Sequence, residues 1–292
     1  MRSTTFKIAA LAAATTLTLA ACGGGESTDS GSGGGDDAGA SEEAGGDEGG
    51  DMITIGIKYD QPGLGLNTDG NPTGMDVDVA KAVAEGLGYT EDQIEWTEAI
   101  SSAREDLLES NQVDMIVATY SITDERKERV QFAGPYFVAG QDLLVPVDSD
   151  IQGPDSMGDA ILCSVTGSTS AERVRDEYGV ALQEYGSYSE CMEAMASGQI
   201  GALTTDDTIL AGFAAQDEYS GQFKVVGNTF SEENYGVGLN MESDNCEEIN
   251  EILQGLWDDG TMEQIIEDNL GAADYTPNAD LNPPAEIGGN CA

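Results

Sequence analysis

From residue 52 the chain alternates: Ile53, Ile55 and Ile57 are spaced by Thr54 and Gly56, the period of a half-buried strand. The alternation stops at Lys58-Tyr59-Asp60-Gln61-Pro62-Gly63, whose breakers predict a loop. The period then lengthens. Val79, Ala80, Val83, Ala84 and Leu87 share one face of a helix that opens at Gly74 and meets Gly86 and Gly88 near its end. Residues 94–96 predict a short strand, 103–109 a helix with Leu107 and Leu108 inward and Arg104 near its start, and 115–118 a buried strand. Strands alternating with helices predict a parallel sheet covered by helices. Residues 132–137 follow, and 143–146 predict a strand leaving this unit.

A second unit of similar size and the same alternation begins with a strand at 159–165. It runs into Thr166-Gly167-Ser168-Thr169, where Thr169 and Glu172 have the spacing of a helix capping box. A strand at 182–185 and a helix at 191–196 follow, the helix capped by Ser187 with Glu190 and closed by Gly198. Residues 202–207 predict a strand ending in polar groups, and 223–227 end the unit. The apolar strand 235–239 is expected to return to the first sheet, before amphipathic helices at 249–257 and 261–270, the latter with Thr261 and Gln264 in a capping box. From 271 onward the chain reads as tail, and no internal repeat is visible.

Composition changes this picture at the amino terminus. Arg2 and Lys7 precede a mostly apolar stretch ending Leu19-Ala20-Ala21-Cys22, so residues 1–22 predict an export signal rather than part of the fold. The ending resembles a bacterial lipobox, which implies cleavage before Cys22 and lipid on its thiol. Residues 23–51 hold Gly, Ser, Ala, Asp and Glu without one large apolar side chain, the composition of a disordered, acidic, Gly-rich tether. Cys163, Cys191, Cys246 and Cys291 then remain, an even number that in an exported chain suggests two disulfides. Three pairings are open; Cys163 with Cys191 and Cys246 with Cys291 is preferred because each pair is local.

Charge narrows the function. The 292 residues carry 55 acids against 11 bases, a net charge of −44, and no histidine. Such an excess disfavours nucleic acid or an anionic membrane surface as a partner and suits a salty medium, where screening relieves self-repulsion. Without histidine there is no Ser-His or Cys-His nucleophile pair and no His-based metal site. Thr166-Gly167-Ser168-Thr169 is not a nucleophile elbow, no phosphate-binding glycine loop is present, and Asn67-Thr68-Asp69-Gly70-Asn71 reads as a turn rather than a calcium loop. What remains is recognition. Residues 118–126 place the hydroxyls of Thr119 and Ser121 and the planar guanidinium of Arg126 around a strand end and a first helical turn, a set suited to a carboxylate. The N–H groups at 167–169 offer a second such end. Lys58, Arg104 and Arg126 fall near element ends on one side of the first sheet, where a crevice ligand would lie. A positively lined pocket for a small diacid is the expectation.

Several motifs carry a family resemblance. Gly74-Met75-Asp76-Val77-Asp78-Val79-Ala80, the Ser121-Ile122-Thr123-Asp124-Glu125-Arg126 segment and Ile161-Leu162-Cys163-Ser164-Val165 resemble the extracellular solute-binding proteins of polar amino acid ABC transporters, family 3, and among them actinobacterial glutamate-binding lipoproteins. The resemblance runs from Ile53 to Gly271. It implies a two-lobed α/β periplasmic-binding-protein fold of type II with two crossover strands, lobe 1 being 52–145 plus 230–275, lobe 2 146–229, and 276–292 a C-terminal tail. It implies that Arg126 holds an α-carboxylate, helped by Thr119 and Ser121 and, from the other lobe, by Thr169 with Ser168 beside it. Asp206 then takes the α-ammonium, Asp207 being only its neighbour, and Lys58 and Arg104 face the side chain, favouring glutamate or aspartate. Many relatives carry a stacking aromatic where Gln61 stands, so either Tyr59 takes that role or the contact is changed. No enzymatic activity, cofactor or metal is implied. The implied partners are the amino acid, the permease subunits of an importer and the membrane through the lipid anchor, for a monomer outside the cell. Two other readings share the fold: a ligand sensor without transport, and an enzyme of the lytic transglycosylase or dehydratase kind, against which Asp206 opposite Arg126 argues.

Overall fold

Ile53, Ile55 and Ile57 bury completely or nearly so in the strand β1 (Ile53–Ile57) of the computed structural model, which describes residues 51–292. The predicted signal, Cys22 and the tether up to residue 50 lie outside the described residues. Where a plain loop was expected, Asp60–Gln61 (β2), Gly65–Thr68 (β3) and Asn71–Thr73 (β4) form a small antiparallel sheet. Its second turn is Asp69-Gly70, with φ of 53° and 84°, the mirror-image turn that an Asp-Gly pair favours between twisted strands. The helix α1 (Met75–Gly86) buries Val79, Ala80, Val83 and Ala84 as its periodicity predicts, and adds Met75, Asp76 and Val77.

Strands β5 (Ile94–Glu98) and β6 (Met115–Ile116) flank β1 in parallel, with helix α2 (Arg104–Glu109) between them in sequence. After the short helix α3 (Asp124–Lys127) come β7 (Gln131–Ala139) and, directly beyond Gly140, β8 (Gln141–Pro146). Pairing separates these two strands. The second sheet runs β10 (Leu182–Tyr185), β9 (Leu162–Val165), β11 (Ala202–Asp206), β8 and β12 (Phe223–Val225). Its helices are α4 (Thr169–Arg173), α5 (Tyr188–Ala196) and α6 (Asp207–Ala214). The chain then returns through β13 (Glu233–Leu239), which inserts antiparallel between β6 and β7 and completes the first sheet in the order β5-β1-β6-β13-β7. Helices α7 (Cys246–Asp258) and α8 (Thr261–Leu270) cover that sheet with α1.

Two α/β lobes are thus joined by two crossing segments, one at Gly140 and one between β12 and β13. Because β8 pairs with β11 and β12, the first crossing falls earlier in the chain than the expected boundary at 145. The crossings are tied side by side: the Phe230 N–H donates to the Gln141 carbonyl at 2.9 Å and the Gln141 N–H to the Ser231 hydroxyl at 3.1 Å.

Two caps differ from expectation. Helix α4 is capped by Ser168, whose oxygen accepts the Ala171 N–H at 3.1 Å, not by Thr169. Helix α8 starts from Gly260 in a left-handed conformation, φ 85°, so Thr261 is its first helical residue rather than its cap. The carboxyl-terminal stretch is also more than tail. Disulfides join Cys163 to Cys191 and Cys246 to Cys291, the preferred pairing. The second holds the end of the chain along β7, an edge strand: the Phe132 N–H donates to the Asn290 carbonyl, the Gly288 N–H to the Gly134 carbonyl, and Asn282 bonds both backbone groups of Val138. An edge that would otherwise present free backbone groups is covered.

Removing that tie is expected to be costly. Cys246→Ser together with Cys291→Ser should lower unfolding free energy by about 2–4 kcal/mol in denaturant titrations and speed amide exchange at Phe132 and Val138. Unchanged exchange at both would show that the tail holds without its disulfide.

Candidate functional site

The carboxyl ends of β6, β9 and β11 point into one crevice between the lobes, the place where an open α/β sheet takes a ligand. From the first lobe, Gln61, Ser101, Arg104, Thr119, Ser121 and Arg126 line the cavity there; from the second, Ser168, Thr169, Ser170, Tyr188, Asp206 and Ile209. It measures only about 10 Å³, room for roughly one water molecule. The lobes are closed on each other. Arg126 Nη2 donates to the Gly167 carbonyl at 3.2 Å, the Tyr188 N–H to Asp60 Oδ2 at 2.9 Å, and the hydroxyls of Ser121 and Thr169 lie 3.4 Å apart.

Two glycines make this approach possible. A Cβ on Gly212 of α6 would lie 2.0 Å from the Pro62 carbonyl oxygen of the first lobe. One on Gly167, whose φ is 77°, would lie 2.8 Å from the Ser102 Cα. Both would collide with backbone rather than with a side chain that could swing away.

Arg126 is held at three points. Its Nε faces Glu105 Oε1 at 3.3 Å, Nη1 donates to the Ser121 carbonyl at 2.8 Å and Nη2 reaches Gly167. Its position depends on the turn that precedes it. Thr119 is a β-branched residue at φ 46°, a strained conformation that surrounding contacts must enforce. The Thr119 N–H points to the carboxyl group of Asp76, which also accepts from Tyr136 Oη at 2.6 Å. Burial raises Asp76 to about 6. The first acid of the Gly-Met-Asp-Val-Asp motif therefore lies behind the turn rather than lining the cavity.

Arg104 is 3% exposed, and its only protein hydrogen bond among the described residues runs from Nε to the Ala99 carbonyl at 3.2 Å. It has no carboxylate partner among them. Burial, followed by the neighbouring Arg126 charge, pulls its pKa below the ordinary arginine range. Lys58 lies one layer further back. It is fully buried, pairs with Asp60 Oδ1 at 2.9 Å, and sits 5.6 Å from the centre of the Tyr188 ring without lining the cavity. Burial lowers its pKa despite the Asp60 charge.

Across the cleft, Asp206 accepts from Tyr235 Oη at 2.6 Å and from the Ser170 hydroxyl at 3.5 Å, which leaves lone pairs on both oxygens. Burial, and then the nearby Glu233 carboxylate, raise it to about 8. Asp207 turns away: it accepts from the N–H groups of Gly140 and Thr208 and from Tyr275 Oη. Thr169, released from capping, bonds Glu233 Oε2 at 3.1 Å. Ser168 is engaged by its cap and by the Val165 carbonyl.

Of the ten expected residues, eight line the cavity, and Lys58 and Tyr59 do not. Tyr59 does not line the cavity, whereas Gln61 does and accepts from Thr119 Oγ1 at 3.3 Å. The aromatic side chain at the cavity is Tyr188, which sequence reading passed over together with Ser101, Ser170 and Ile209. Tyr188 opens α5 directly after Ser187, and a helix start opposite a second strand end was the available signal.

The arrangement, two lobes closing on a cavity lined by hydroxyls, two guanidiniums and one carboxylate, is that of a protein that encloses a small charged solute. Residues 53–272 match the bacterial extracellular solute-binding proteins, family 3, and the chain belongs to that family. It is 46% identical to the glutamate-binding protein GluB of Corynebacterium efficiens over 75% of this chain and 79% of that protein. It is 36% identical to the ABC transporter glutamine-binding protein GlnH of Bacillus subtilis over 74% of this chain and 80% of that one. Among solved structures, an ancestral arginine-binding protein bound to arginine superposes with a TM-score of 0.69 at 30% identity, covering 75% of this chain and 98% of its own.

The lobe contact predicts a separable effect. Gly212→Ala should leave the melting temperature of the free protein nearly unchanged, enlarge its radius of gyration in small-angle scattering, and weaken ligand binding by more than about tenfold, on the order of 1.4 kcal/mol. Binding unaltered by the added methyl group would mean that the Pro62 contact is not part of the bound state.

Proposed function

We propose that this chain captures an acidic amino acid, glutamate first and aspartate second, outside the cell and delivers it to an ABC importer, working as a monomer held to the membrane by lipid on Cys22. The observation that carries this reading is the charge count around the cavity: Arg126 and Arg104 on one lobe, only Arg126 balanced by a carboxylate, and Asp206 on the other. A zwitterion uses Arg126 and Asp206. The second guanidinium remains for a second carboxylate, since an unpaired buried charge is costly. The name of the corynebacterial relative, a glutamate-binding protein, agrees with this choice.

In this reading the α-carboxylate takes Arg126, with the N–H and hydroxyl of Thr169, Ser121 and Thr119 completing the cage. Asp206 receives the α-ammonium. Arg104 meets the side-chain carboxylate, and Lys58, paired with Asp60, lies one layer behind the cavity. Ser168 serves its helix rather than the ligand, and Gln61 and Tyr188 flank the ligand in place of Tyr59. Lobe 1 ends at Gly140 and resumes near 230, so the two crossing segments act as the hinge. The ligand bridges the lobes, shifts the population toward the closed form, and the permease reads that form.

A thermal-shift panel of the amino acids tests the ligand, with stabilisation by glutamate or aspartate expected and indifference to all of them, or a preference for arginine, counting against the reading. Arg126→Ala should weaken glutamate binding by at least about tenfold, 1.4 kcal/mol; a smaller loss would remove Arg126 from the carboxylate site. The pH dependence follows from Asp206. Only its carboxylate form attracts an ammonium, and its pKa is raised, so affinity should fall as pH drops below about 8, by up to about tenfold per unit. Calorimetry in buffers of different ionisation enthalpy should register proton release on binding at neutral pH. Flat affinity from alkaline to mildly acid pH would rule Asp206 out as the ammonium partner.

A further inference from the structure

We infer that Tyr120 is a specificity-positioning residue: its ring is what allows two guanidiniums to face one cavity, and through Arg104 it sets the preference for a second carboxylate on the ligand. The inference rests on the acidic amino acid reading above and names the device behind it.

Tyr120 does not line the cavity and is fully buried beneath it. The guanidinium carbons of Arg104 and Arg126 lie 5.0 and 4.9 Å from its ring centre. Both distances are within the range of a cation–π contact, which strengthens where water is excluded. Its hydroxyl donates to Glu105 Oε1 at 2.7 Å, the same oxygen that faces Arg126 Nε at 3.3 Å. One side chain therefore touches both arginines and, through Glu105, fixes one of them twice.

The two cations are not treated alike. Arg126 has Glu105 and two carbonyl oxygens, whereas Arg104 has the Ala99 carbonyl and the ring. Like charges in a low-dielectric site repel, and Arg104, without a carboxylate, is the one that would be driven out. The negative face of the ring offsets part of that repulsion without spending the charge that a ligand carboxylate needs. A carboxylate in the place of Tyr120 would neutralise Arg104 and abolish its use.

The ring itself cannot move aside. Phe132 meets it edge-on, with centroids 4.8 Å apart, and a Cβ on Gly238 would lie 2.6 Å from its Cε1 atom, so the glycine in β13 leaves the space the ring fills. The Tyr120 backbone is anchored as well, its carbonyl accepting the Gly236 N–H at 2.9 Å.

The test separates the ring's electrostatics from its bulk. Tyr120→Phe, followed by phenylalanine carrying one, two and three ring fluorines at the same position, keeps the shape while draining the negative face. Glutamate and glutamine affinities are measured for each by calorimetry, with melting temperature confirming the fold. Glutamate should weaken stepwise to about tenfold at three fluorines while glutamine changes by less than about threefold, so that their ratio falls along the series. A ratio that stays flat in a protein that does prefer glutamate overturns the inference alone. Wild-type protein without that preference overturns the ligand reading and takes the inference with it.

Discussion

Positive charge must be kept buried and available in a chain whose net charge is −44. Solvated acids elsewhere cannot do this, because water screens them, and a buried carboxylate partner would cancel the charge. Lys58 accepts that cancellation through Asp60, while Arg126 is partly balanced by Glu105 and otherwise held by carbonyl oxygens. Arg104 is left with a carbonyl and an aromatic face. The left-handed turn at Thr119, the buried acid Asp76 behind it and the glycine at 238 beside Tyr120 surround these groups. A local positive site survives inside a strongly negative field.

The acidic side of the cleft is tied to the hinge. Asp206 belongs to the second sheet, yet its closest partner is Tyr235 of β13 in the first. Asp207 accepts from Gly140, at the first crossing, and from Tyr275 beyond α8. Glu233, at the second crossing, pairs with Arg173 of α4 at 2.8 Å and accepts from Thr169 and Ser231. The group proposed to take the ammonium and the two crossing segments thus share one hydrogen-bonded network. The proposed ammonium site therefore lies within a few hydrogen bonds of both crossing segments.

Much of the fold was legible because its signals are local. The alternation of β1, the apolar face of α1 and the Ser187–Glu190 capping box each depend on spacing within a few residues, and each is observed. Helix α6 carries no amphipathic period, because Thr208 to Phe213 are all buried, so its sequence does not mark it as a helix. The capping-box spacing places the cap of α4 at Thr169, one residue late, since Ser168 and Thr169 are chemically alike and only the backbone path distinguishes them. The sequence of β8 does not say which sheet it joins, and only its pairing with β11 and β12 puts it in the second lobe.

The sequence by itself determined the two α/β units, the family and a short list of bases and acids from which a site had to be drawn, and favoured the local disulfide pairing that the structure shows. In a chain this poor in bases and without histidine, few other sets were available. Only tertiary structure decided which of them meet. Tyr188, 128 residues from Asp60, closes the cleft through its backbone, and the close fit of Gly212 on Pro62 sets how far the lobes approach. Tyr120 lies within one motif with Arg126, but its contact with Arg104 exists only after β6 and α2 have packed. Periodicity and charge are properties of neighbours in sequence. Burial, and with it the strength of every charge in the cleft, is a property of neighbours in space.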